Sequence, residues 1–134
     1  MKRVFVFLIT ILFAGAGTIL AQTNNSSVVT NLSAQRFKII IANDKAANII
    51  DLRTSDEMNK GYIKGAVQLD FLAKDAEKKI DELDKNKTYY IYCQSGGRSA
   101  DAAEYMEKNN FKRVYTLDKG FSDWSSKGYP VEKK

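Results

Sequence analysis

One position in this chain combines a soft nucleophile with groups that would hold an anion. Cys93 ends the apolar run Tyr89-Tyr90-Ile91-Tyr92 and is followed by Gln94-Ser95-Gly96-Gly97-Arg98-Ser99, after which an Ala-rich segment begins. The apolar run reads as a strand and the Ala-rich segment as a helix, so Cys93 lies where a strand turns into a helix. Glycines at 96 and 97 let the backbone curl through positive φ without a Cβ clash. A curled loop turns successive N–H groups inward as an anion-binding nest, and the helix behind it adds its positive end. Arg98 adds a permanent charge with paired donors. The same features favour thiolate over thiol, so Cys93 is expected to ionise at neutral pH without a partner base. Four residues separate Cys93 from Arg98, a span suited to a small anion. A thiolate there can attack the outer sulfur of thiosulfate, keep it as a persulfide, and yield it to a second nucleophile such as a thiol or cyanide. The blander alternative is an inert cysteine buried before a tight turn.

The composition closes off other chemistries. There is one cysteine and no histidine, so an internal disulfide, a Cys/His zinc site, and a Ser-His or Cys-His pair are all excluded. No metal and no cofactor are called for. The formal charge is +5, of which Lys2 and Arg3 supply two, leaving about +3 on the remainder. Basic and acidic residues are interspersed without a Lys/Arg stripe, so a nucleic-acid face is not expected.

The elements that must position Cys93 can be read from periodicity. Ser33 caps a helix over Ala34–Ala42 in which Phe37, Ile40 and Ile41 share a face. Asn48–Arg53 reads as a buried strand, Thr54 or Ser55 as the cap of a helical turn, and Ala66–Leu69 as a second strand. Asp56 and Glu57 fit as the favourable negative charges of that turn. Leu72–Leu83 reads as an amphipathic helix, Thr88–Tyr92 as a strand, Ala100–Lys108 as a helix starting near Ser99, and Arg113–Leu117 as a strand. Gly120–Lys127 is a closing helix with Phe121 and Trp124 as core anchors, and Tyr89, Tyr90 and Tyr92 are expected to pack in the core. Strands alternating with helices imply an α/β fold with an open parallel sheet and helices on both faces. The length suits a single domain.

The N-terminus is of another kind. Met1-Lys2-Arg3 precedes an apolar run from Val4 and then small residues, the pattern of a signal peptide over residues 1–21. Residues 22–31 are rich in Gln, Thr, Asn and Ser and read as a flexible leader. The protein is therefore expected to be exported, to a periplasm. An uncleaved membrane anchor is the alternative, because the apolar run is just long enough to span.

Four motifs in order resemble the rhodanese-like domain family: Ile49-Ile50-Asp51-Leu52-Arg53, Gly61-Tyr62-Ile63-Lys64-Gly65-Ala66, Tyr92-Cys93-Gln94-Ser95-Gly96-Gly97-Arg98-Ser99 and Gly120-Phe121-Ser122-Asp123-Trp124. The resemblance runs over roughly Leu32–Glu132 and places the domain at residues 32–134. It implies five parallel strands, a persulfide on Cys93, a backbone cradle from Gln94, Ser95, Gly96, Gly97 and Ser99, and anion binding by Arg98. Asp51 and Arg53 match the family's Asp-x-Arg strand end, for which a supporting role is expected. The implied partners are a small anionic sulfur donor such as thiosulfate and a thiol, cyanide-like or protein acceptor. Related phosphatases carry one more residue between Cys and Arg, so the shorter loop favours sulfur transfer. Two positions depart from the usual pattern: Tyr62 stands where the family often has His, and Lys119 precedes Gly120 where it often has Gly. A persulfide carrier without turnover, a thiol redox sensor and a phosphatase-like enzyme are the other readings of the same loop.

Overall fold

The computed structural model describes residues 27–133; the expected signal peptide over residues 1–21 and the first part of the expected leader lie outside the described residues. Among the described residues, five strands form one parallel sheet: β1 (Val29–Leu32), β2 (Asn48–Asp51), β3 (Val67–Gln68), β4 (Thr88–Tyr92) and β5 (Arg113–Leu117), in the order β1-β5-β4-β2-β3. Five helices connect and follow them: α1 (Ala34–Asn43), α2 (Ser55–Asn59), α3 (Ala76–Asp81), α4 (Gly97–Lys108) and α5 (Gly120–Ser126). The α/β architecture expected from the alternating pattern, with five strands, is the one observed.

Central strand β4 shows how the sequence feeds both layers. Successive residues of a strand face opposite sides. Tyr89, Ile91 and Cys93 therefore enter the core beneath α3 and α4, with Ala76, Ile80, Ala102, Ala103 and Met106. Tyr90 and Tyr92 enter the opposite core with Phe37 of α1 and with Phe121 and Trp124 of α5. Phe37 meets the rings of Tyr90 and Trp124 edge-on at 6.0 and 6.3 Å between centroids, a favoured aromatic geometry. A strand buried on both faces explains why this run is apolar throughout instead of alternating.

Three boundaries differ from the sequence reading by more than two residues or change what reaches Cys93. Val29, Thr30 and Asn31, placed at the end of the leader, belong to β1, which lines up beside β5 with Val29 opposite Val114 and Leu32 opposite Leu117. Thr30 and Asn31 are exposed on this edge strand, so its residues carry no apolar run, and Asn31 gains order by accepting from the Thr116 hydroxyl. The long amphipathic helix expected over Leu72–Leu83 shrinks to α3. The Asp70 carboxylate accepts from the Leu72 amide at 2.9 Å, a side-chain turn that competes with helix, and leaves Leu72 66% exposed. Finally, α4 starts at Gly97, earlier than expected, which brings its first turn up to Cys93.

Candidate functional site

The carboxyl ends of β2, β4 and β5 meet at one edge of the sheet, where open parallel sheets place their ligands. Cys93 follows β4 there and is 1% exposed. Its Sγ accepts a hydrogen bond from the Gly96 amide at 3.1 Å, and the Ser99 Oγ lies 3.6 Å away. Ser99 is itself buried, and its hydroxyl also lies 3.0 Å from the Gly96 carbonyl, so its one proton can turn to that oxygen or to a Cys93 thiolate. Burial pushes the thiol up, but the Ser99 hydroxyl and the Ser99, Ser95 and Gly96 amides outweigh it, and the balance falls below the usual thiol range. A thiolate held by amides at the start of a 12-residue helix is an activated nucleophile.

The loop keeps its shape through its outer side. The Phe121 and Ser122 amides at the start of α5 donate to the Cys93 and Gln94 carbonyls at 2.8 and 3.0 Å. Holding those carbonyls outward leaves the following amides free to face Sγ. Gly120 makes this approach possible: its φ is 64°, and a Cβ there would stand 2.6 Å from the Cys93 carbonyl oxygen. The Gly120 of the last motif is therefore part of the site, whereas Lys119, the departure from the usual pattern, is exposed. Of the two loop glycines expected at positive φ, only Gly96 is there, at 105°; Gly97 is the first residue of α4.

Asp51 and Arg53 form a fully buried pair beneath the loop. Arg53 donates through Nε to Asp51 Oδ1 at 2.9 Å and through a terminal nitrogen to Oδ2 at 2.7 Å, and it also donates to the Gly61 carbonyl at 2.7 Å. Its third nitrogen donates to the Gln94 Oε1 at 3.2 Å, and the Gln94 amide group continues to the Ser122 hydroxyl at 2.9 Å. Burial works against the guanidinium charge, but Asp51 overcomes it and raises the proton affinity of Arg53. The Tyr92 hydroxyl donates to Asp51 Oδ2 at 2.6 Å and accepts from the Ile63 amide at 3.1 Å. Burial first, then the Asp51 charge, lift that phenol well above its usual range. The pair thus ties β2 to Gln94, the residue after Cys93. Tyr62, at the family's usual histidine position, instead joins its backbone to Glu132 in an antiparallel bridge.

Arg98 has a partner that the sequence reading missed. Its two terminal nitrogens donate to Glu57 Oε2 and Oε1 at 2.9 and 2.7 Å. Glu57 sits in the first turn of α2, where its carboxylate also accepts from the Thr54 amide and hydroxyl while the Thr54 hydroxyl accepts from the Glu57 amide. The sequence marks Glu57 as a negative charge of the first turn and by the Thr-x-x-Glu spacing of a capping box, and neither signal points to Arg98. Of the residues expected around the sulfur, Ser95, Gly96 and Ser99 reach Sγ, Gln94 is turned to Arg53 and Ser122, Gly97 opens α4, and Arg98 is turned to Glu57.

Comparison with known proteins places the chain in a family. The profile of the rhodanese-like domain matches residues 33–127. The Bacillus subtilis protein YrkF, whose name proposes a sulfur-carrier role, is 36% identical over 106 residues, covering 79% of this chain and 56% of its own length; the chain thus spans little more than half of that relative. The thiosulfate sulfurtransferase GlpE of Shewanella oneidensis is 34% identical over 80 residues, covering 60% of this chain and 77% of that protein. A rhodanese-related protein from Thermoplasma volcanium superposes with a TM-score of 0.68 at 25% identity, covering 78% of this chain and 98% of its own.

Proposed function

The chain belongs to the rhodanese-like domain family, and from that premise we propose that it is a sulfurtransferase that carries sulfane sulfur as a persulfide on Cys93, with thiosulfate or a similar molecule as donor. The observation that carries this reading is the Cys93 sulfur cradled by the Gly96 amide at 3.1 Å at the start of α4. Relatives named for sulfur transfer and sulfur carriage support a role in sulfur transfer.

The cycle follows from the groups present. Cys93 gives its proton to solvent, a loss favoured by the amides and the Ser99 hydroxyl that stabilise the thiolate. The thiolate attacks the outer sulfur of thiosulfate; a new S–S bond forms, the old one breaks, and sulfite leaves with the bonding pair. The persulfide's outer sulfur takes the place at the loop amides where the anion stood. A thiolate or cyanide then attacks that outer sulfur, takes it as a persulfide or thiocyanate, and returns Cys93 as thiolate. Loop amides act in both halves because negative charge builds on sulfur each time. Asp51, Arg53 and Gln94 hold the loop. Residues 1–21 serve in this reading as an export signal and the domain works in the periplasm, which N-terminal sequencing of the protein recovered from that compartment would test.

The deciding experiment is intact mass after thiosulfate treatment, beside Cys93→Ser. A gain of one sulfur atom on the wild type, removed by cyanide and never seen in C93S, is the expected result. No gain on folded wild type would overturn thiosulfate as donor. The sulfur-carrier name of YrkF favours one second reading: loading from a donor without turnover to cyanide would make the protein a persulfide carrier.

A further inference from the structure

We propose that Glu57 is a specificity-determining residue: by taking up both terminal nitrogens of Arg98 it leaves the mouth of the Cys93 loop without a free guanidinium, and so turns the site from compact dianions toward organic sulfur donors with one negative charge or none. The inference rests on the sulfur-transfer reading of Cys93 and ranks its donors: thiosulfate still loads Cys93, but less readily than an organic donor of lower charge.

The two-point contact at 2.9 and 2.7 Å saturates the fork that would otherwise grip an anion. Glu57 is not free to swing aside. The same carboxylate accepts from the Thr54 amide and hydroxyl, each at 3.0 Å, and the Glu57 carbonyl accepts from Arg53 at 3.4 Å. Releasing Arg98 to an incoming anion would therefore leave the Glu57 carboxylate fixed in place on α2 without its countercharge. The side chains of Arg98 and Glu57 are 20% and 28% exposed, so solvent screens their charges only in part. Asp70 lies close enough to add to the hold on the Arg98 proton. The turn that carries Asp70 goes on to the partly buried Phe71 and the exposed Leu72. In an organic persulfide, Cys93 would attack the outer sulfur and the donor would leave as a thiolate. In an organic thiosulfonate, a sulfinate would leave with the bonding pair.

The test uses the full chain with Glu57→Gln, which keeps a capping side chain at the same helix position. Asp56→Asn, the neighbouring carboxylate, is the control, and the double variant E57Q/R98Q reports whether any effect runs through Arg98. Rates of Cys93 alkylation by iodoacetate and by iodoacetamide are compared at one pH; their ratio cancels the thiolate fraction and needs no sulfur transfer. E57Q should raise the iodoacetate to iodoacetamide ratio about 3- to 10-fold, D56N should leave it unchanged, and the double variant should return it to the wild-type value. In parallel, E57Q should lower KM for thiosulfate more than for benzenethiosulfonate. A ratio unmoved by E57Q, moved equally by D56N, or kept high in the double variant overturns the assignment. Failure of the wild type to take sulfur from either donor would instead overturn the sulfur-transfer reading, with the alkylation ratio still deciding the role of Glu57.

Discussion

Gly96 and Asp118 touch backbone to backbone: at the Gly96 φ of 105°, a Cβ would overlap the carbonyl oxygen of Asp118. This contact joins the Cys93 loop to the turn after β5. It makes residue 96 a position for glycine alone, while Gly97, one residue on, is helical with nothing within 4 Å of its would-be Cβ.

The two glycines should therefore separate in mutation. Gly96→Ala must absorb both positive φ, about 1–2 kcal/mol, and the overlap with Asp118, so the amide now on Sγ shifts. A fall in chemical stability beyond that figure is expected, with sulfur loading lost. Gly97→Ala should be neutral or stabilising by up to about 1 kcal/mol, since alanine favours helix, with loading kept. Urea denaturation and intact mass on both variants would check this; equal behaviour would remove the backbone argument for Gly96.

The pH profile of Cys93 alkylation tests the source of its activation. The thiol should ionise below the ordinary thiol value of about 8.5, because loop amides and the Ser99 hydroxyl outweigh burial. Ser99→Ala removes the hydroxyl but keeps the amides. Its inflection should move upward, giving slower alkylation near neutral pH and an unchanged plateau in alkali. An inflection that stays in place would assign the activation to the amides alone.

Removing one member of the buried pair should be costly. Asp51→Asn would leave the Arg53 guanidinium, 1% exposed, without its countercharge, a loss of about 3–5 kcal/mol for a buried ion pair broken on one side. Tyr92→Phe removes only the hydroxyl that joins Asp51 to the Ile63 amide and should cost about 1–3 kcal/mol, the range for an unsatisfied buried donor. Guanidinium chloride denaturation of both variants would measure this ordering, and a D51N loss no larger than that of Y92F would refute it.

Much of this was legible in the sequence because it depends on local signals. A doubly buried strand announces itself as the apolar run before Cys93, and the strand–cysteine–glycine–helix order announces the cradle. Three features were not legible, for different physical reasons. Strand β1 is an edge strand held by backbone pairing to β5, so its exposed Thr30 and Asn31 carry no apolar period. The Glu57–Arg98 pair joins residues far apart in sequence, and Glu57 already had a sufficient local explanation as a helix-capping acid. Likewise, the glycine of Gly120-Phe121 reads as ordinary helix punctuation until the fold lays it against the Cys93 carbonyl.

Acid stability gives the Glu57–Arg98 pair a signature independent of activity. Hydrogen bonding to Arg98, helped by the Thr54 amide and hydroxyl and opposed by burial, lowers the Glu57 carboxyl from 4.5 to about 2. The folded state thus binds this proton more weakly than the unfolded chain does, so the contribution is complete above pH 4.5 and is lost as pH falls toward 2. Wild type should exceed E57Q in stability at neutral pH by about 1 kcal/mol, kept small by the pair's partial exposure. The gap should close as acid titrates Glu57, and the two denaturation midpoints should meet near the bottom of that window. A gap constant from neutral pH down to 2 would mean that the E57Q substitution disturbs α2 by shape alone, and that the charge of Glu57 contributes nothing to the fold.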